Sequence, residues 1–170
     1  MGLSFNLRAL RSARPNDAGT TLVELLVVLV IISILAVVAA PVAATSAQRN
    51  KEFALRETLR DVRTALDQFN ADWKAEIIPN EHPAASANGW PVSFEVMVEG
   101  VEDSDGTLRR YLRNVPRNPF QPKGQGVQGQ WRILGYSDPV DVQVWNGEDI
   151  YDLRPLTDRV ALDGTAIAEW

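Results

Sequence analysis

The sequence has no cysteine and one histidine, His82. Without cysteine there is neither a disulfide framework nor a thiolate metal site. A single histidine excludes multi-histidine metal centres and leaves little acid–base chemistry near neutral pH. His82 lies in the loop-like stretch NEHPAAS and is expected to be a solvated loop residue. No Ser/His/Asp set or phosphate-binding glycine loop stands out, and GVQGQ reads as loop. Positive charge is scarce in the second part of the chain, where residues 64–170 hold nine basic and seventeen acidic side chains. Phosphate recognition needs a basic face, so nucleic acid is not expected as a partner. The one basic–aromatic cluster, LRRYLR (Arg109, Arg110, Arg113 with Tyr111), reads as the solvated side of a short segment.

What the chain does have is one long apolar run. Among residues 25–44 only Ser33 and Pro41 are not strongly apolar. As a helix this run is about 30 Å long, the thickness of one bilayer core. Three arginines (Arg8, Arg11, Arg14) precede it, so the positive-inside rule keeps the amino terminus in the cytoplasm and sends the rest outward. A buried core helix would carry a polar stripe, which is lacking here. A cleaved signal peptide has small residues to use near Ala44 or Ala47, but its apolar region would be shorter than this one. An uncleaved anchor accounts for the length and leaves Glu24, the one charge between residues 18 and 37, without a purpose. A carboxylate in such a run costs about 3 kcal/mol in a bilayer.

The segment G-TTLVE-LLVVLVIISILAVVAAP resembles the cleavage and methylation motif shared by type IV pilins and type II secretion pseudopilins. That resemblance implies cleavage after Gly19 by a prepilin peptidase at the cytoplasmic face, and N-methylation of the new first residue, Thr20. Phenylalanine is usual at that position. Glu24 then falls at the fifth mature position and Pro41 at the twenty-second, where the family has glutamate and proline. In the family the glutamate pairs with the terminal amine of a neighbouring subunit, which makes Glu24 an assembly residue. Removing one partner of a buried ion pair strands the other charge, so such a contact sets register. Pro41, lacking an N–H, is expected to kink or locally melt the helix.

Beyond Ala44 the helix is expected to continue. Leu55, Leu59, Val62, Leu66, Phe69 and Trp73 form a single apolar stripe, most simply a helix face packed on a sheet. The helix should end before Pro79, with residues 75–91 as loop. A short helix is expected after Pro91, and DSDGT reads as a turn too short for a calcium loop. After a Gly/Gln/Pro-rich loop over residues 121–130, strands are expected at 131–136, 140–145 and 150–153. Asn146-Gly147 would be the hairpin turn between the last two.

Two later segments extend the resemblance. YLRNVPRNPF looks like a conserved-type segment of the major pseudopilin group, with Asn118 in place of the usual aspartate, and GEDIYDLRPLTDRVALDGTAIAEW is similar to that group's final hairpin and tryptophan. The group binds one calcium ion in its last loop. Here Asp158 and Asp163 roughly match, with Thr157 as a third oxygen, against the six to eight that calcium takes.

The expected fold is α+β and pilin-like: a long N-terminal helix, half transmembrane, packed by its second half on a small antiparallel sheet of three or four strands. Residues 1–19 are the leader, 20–44 the transmembrane and assembly helix, and 45–170 a periplasmic domain. The expected role is structural rather than enzymatic, a pseudopilin subunit of a type II protein secretion system at the bacterial inner membrane. Implied partners are further copies in a helical filament, other pseudopilins, prepilin peptidase and an inner-membrane assembly platform. The alternatives are a type IV pilin of a surface fibre and, less well supported, a membrane-anchored enzyme using Asp149, Asp152 and Asp158.

Overall fold

The structure, a computed structural model, describes residues 17–170 except 123 and 125, with side chains described from residue 21. The chain divides into two units, Met1–Ala44 and Thr45–Trp170. One helix, α1 (Asp17–Lys74, 58 residues), runs through both. After Gly19 it contains no glycine and a single proline, Pro41, at which the helix is not interrupted. Its end has a clear cause. Glu76 takes a left-handed φ of 58°, and the N–H groups of Ile77 and Ile78 turn back to the carbonyl of Asp72. Pro79 follows where the helix could not continue.

In the Thr45–Trp170 unit the apolar stripe is buried as expected. Leu55, Leu59, Val62 and Leu66 join a core with Trp131, Ile133, Ile150, Leu153 and Ile167. Phe69 belongs to a second cluster with Ile78, Ala84 and Val101. Each such side chain contributes about 1.5–3 kcal/mol by leaving water. Trp73, half-buried, lies against Gly89, where an added Cβ would stand 2.3 Å from the indole ring. The Asn70 amide holds that loop by donating to the Gly89 carbonyl at 2.9 Å.

Helix α2 (Phe94–Glu99) is the short helix anticipated after Pro91, started instead by Ser93, whose hydroxyl accepts from the Val96 N–H at 3.3 Å. Pro91 lies in a bridge to Ala85 and accepts from the Ile150 N–H. The DSDGT turn joins β1 (Val101–Glu102) to β2 (Leu108–Arg109) as an antiparallel hairpin. The 121–130 segment is not all loop, since Val127–Gln130 form a helical turn, α3. β3 (Trp131–Leu134) pairs antiparallel with β4 (Asp152–Pro155), and a 3₁₀ turn (Ile167–Glu169) follows.

The sheet differs from the expectation. Two separate two-stranded ladders are present among the described residues, where one sheet of three or four strands was anticipated. Residues 140–145 form no strand, and Asn146-Gly147 is not a hairpin turn. The Val142 N–H bonds the Pro139 carbonyl in a local turn, and polar groups around the segment bond locally too. The Asp138 carboxylate accepts from the N–H of Gly135 at 2.8 Å and of Asn146 at 3.4 Å. The Trp145 indole donates to the Asp149 carbonyl at 2.7 Å. The last strand is displaced from 150–153 to 152–155, in register with Trp131 opposite Pro155.

Candidate assembly site

The N-terminal candidates lie on α1. Gly19 and Thr20 fall in its first turn, and Glu24 follows one helical turn after Thr20. Every described side chain from residue 21 to 43 is exposed, Val37 at 76 % and even the best covered valines at 47 %. Leu, Val and Ile side chains cover the whole circumference rather than one stripe. Over residues 21–43 such a surface is exposed among the described residues, and it suits lipid or other apolar helices. Ser33 satisfies its hydroxyl by donating to the Leu29 carbonyl one turn back, at 2.7 Å, as suits a hydrocarbon environment. The helix is long and apolar enough to cross a membrane.

Glu24 is the one carboxylate on this surface, and it too is exposed. A carboxylate there is costly in hydrocarbon, and the cost falls where a cation meets it or where it reaches the membrane edge. The amine that cleavage after Gly19 would create sits four residues away, on the same face of a helix. Residues 14–40 match the family described as the prokaryotic N-terminal methylation motif, a span that includes Gly19, Thr20 and Glu24.

The calcium candidates are placed differently. Asp163 accepts from the Thr165 N–H at 2.9 Å, the Thr165 hydroxyl at 2.7 Å and Arg56 at 3.1 Å. The Thr165 hydroxyl above all, with its amide and then Arg56, holds the Asp163 carboxyl below its usual value of 3.8. Asp158 is exposed, and the Thr157 hydroxyl accepts from the Arg159 N–H. Among the described residues no group of three or more acids or histidines could hold a metal ion. Two carboxylates and one hydroxyl, with the best placed carboxylate already bonded to a guanidinium, do not fit calcium.

Two of the three carboxylates weighed for hydrolysis have structural partners, and Asp158 is exposed. Asp149, 1 % exposed, accepts from the Ser86 hydroxyl at 2.7 Å and the Tyr136 N–H at 2.8 Å. Asp152 pairs with Arg63 at 2.8 Å. His82 Nδ1 accepts from the Ala84 N–H, an ordinary loop contact.

The LRRYLR cluster is more than a solvated face. Arg109 bonds the buried Asp103 at 2.9 Å and approaches Asp72 at 3.7 Å, while the Tyr111 hydroxyl donates to Asp72 at 2.8 Å. The Thr107 amide, and then Arg109, holds the Asp103 carboxyl below its usual 3.8. Burial, and then Asp72, pushes the Tyr111 phenol well above its usual 10.0. This network ties α1 to the β1–β2 hairpin. Its one trace in the sequence is Asp72 beside the apolar stripe. Asn118, 3 % exposed, is also structural: its amide bonds the Gln130 carbonyl and its N–H bonds the Gln130 side chain, both at 3.0 Å.

No curated protein matches the chain, and no solved structure does. The methylation motif, on a helix long and apolar enough to cross a membrane, supports a pilin-like architecture and suggests a membrane-anchored N-terminal helix.

Proposed function

We propose that the chain is a structural subunit of a helical pseudopilus in a type II protein secretion system. It is made with a leader, residues 1–19, which prepilin peptidase removes at Gly19, and Thr20 is then methylated. Residues 20–44 hold the subunit in the inner membrane, with residues 45–170 in the periplasm, until an assembly platform adds it to the filament. Glu24 meets the Thr20 amine of a neighbouring copy, and Pro41 lets the packed helix bend. The observation that carries this reading is the matched motif on a helix whose apolar side chains are exposed among the described residues. The motif is common to pilins, so a surface fibre is the second reading, and YLRNVPRNPF with the final hairpin favours the pseudopilin. Deletion separates the two: stalled protein secretion marks the pseudopilin, loss of surface fibres the pilin.

The test of mechanism is Glu24→Leu. Membrane insertion and cleavage should persist, since the segment becomes more apolar and the cut site is unchanged. Incorporation should fail, because the amine enters an apolar bundle without a counter-charge at a cost of about 3–5 kcal/mol per subunit. The variant should accumulate as processed, membrane-held monomer. Normal filaments from Glu24→Leu would contradict the assembly role.

A further inference from the structure

A cleft of about 1070 Å³ in the Thr45–Trp170 unit runs between α1, from Thr58 to Asp72, and the segment from Arg109 to Arg117. Five guanidiniums line it against two carboxylates, Asp61 and Asp72. Arg109 is occupied by Asp72 and Asp103 at its floor. The other four, Arg60, Arg110, Arg113 and Arg117, are exposed and take part in none of the ion pairs among the described residues. Arg110 is oriented by its Nε, which donates to the Glu99 carbonyl at 3.1 Å. Four guanidiniums outside these ion pairs, against Asp61, leave the cleft net positive in a chain of net charge −5. Arginine forks bind carboxylates bidentately, so acidic side chains are the natural occupant.

The same chain carries a matching acidic face. Glu95 and Glu99 are four residues apart on α2 and so share one side of it, and Glu102 follows on β1. All three are exposed, and none is in an ion pair among the described residues. We propose that the arginine cleft of one copy docks the acidic α2 face of a second copy, a contact that rests on the chain being a filament subunit. The cleft adjoins the face at Arg110, which bonds the Glu99 carbonyl, but the arginines and the glutamates are distinct sets, so pairing the cleft of one copy with the face of the next is a head-to-tail contact that can repeat along a filament. Copies anchored in one membrane meet at high effective concentration, which lets exposed ion pairs of modest individual strength matter. Nucleic acid is a poorer fit, because the excess of acids over residues 64–170 opposes a polyphosphate chain.

The test uses the full chain in membranes. Arg113→Glu with Arg117→Glu should lower filament yield about tenfold or more, because like charges then face each other. Adding Glu95→Arg and Glu99→Arg should restore it. The neutral pair Arg113→Gln and Arg117→Gln should weaken assembly less, with an unchanged thermal melt. Since the chain has no cysteine, Arg117→Cys in one tagged copy and Glu99→Cys in another should give a disulfide joining the two tags on oxidation. Normal filaments from the charge-reversed chain, or a loss that the α2 swap leaves unrestored together with no cross-link, would overturn the contact. A wild-type chain that forms no filament would instead contradict the filament reading, and the cross-link would still score the contact.

Discussion

Residues 25–44 and residues 55–73 are stretches of the same helix, the first with 13 large apolar side chains and the second with six, and their fates differ. In the first, apolar residues surround the helix and all are exposed within the chain. In the second they form one stripe, and Leu55, Leu66 and Phe69 are at most 1 % exposed while Arg56, Arg60 and Asp67 stay in water. Where the polar residues fall decides the partner. A stripe is satisfied by the chain's own strands and turns, whereas a fully apolar surface needs lipid or other helices. Glu24 belongs to the first surface and is exposed there. Arg63, on the second, finds its carboxylate within the chain in Asp152.

The largest effect expected is at the start of the apolar stretch. Gly19→Val should block processing altogether, leaving the leader attached and the protein in the membrane, visible as an unshifted band on a gel. Next comes the contrast itself. Phe69→Ala should destabilise the Thr45–Trp170 unit by about 3–5 kcal/mol through lost burial and the cavity left behind. Leu29→Ala, removing a similar apolar group from the exposed stretch, should leave the thermal or denaturant midpoint of that unit unchanged. Equal effects would break the distinction between the two surfaces.

A smaller effect sharpens the electrostatic side. Tyr111→Phe removes a hydrogen bond to the buried Asp72 and should cost about 1–3 kcal/mol near neutral pH. The sign of the pH dependence follows from the shifts. The Tyr111 phenol is raised above its usual 10.0, so the stability it adds is fully present below pH 10 and fades as pH rises further. The Asp103 carboxyl is lowered below its usual 3.8, so its contribution is present above that pH and is lost on acidification below it. The difference in stability between wild type and Tyr111→Phe should therefore shrink above pH 10, while the acid limb stays the same in both. The smallest effect concerns the last loop. Chelator should not move the thermal midpoint, and Asp158→Ala should be silent. A calcium-dependent rise in the midpoint, abolished by Asp163→Ala, would show that the loop rearranges around an ion.

Helix α1, its buried stripe and the methylation motif were legible because periodicity and a spaced motif act over short chain distances. The turn at DSDGT and the helix near Phe94 were legible for the same reason. The sheet was not. Val140, Val142 and Val144 alternate as a strand would, but Asp138 and Asp149 capture backbone and indole N–H groups around them. Nothing in the valine pattern reveals that competition. The Asp72–Arg109–Tyr111 network was also illegible, because it joins residues far apart in the chain. A basic–aromatic run looks like a solvated face until the carboxylate opposite it is known.

The claim that matters most is that the apolar stretch is a processed assembly helix. Intact-mass measurement of the protein extracted from membranes tests it directly. The expected species starts at Thr20 and carries one added methyl group. A soluble species starting near Thr45, as an ordinary signal peptide would leave, or a membrane species that keeps residues 1–19, would contradict it.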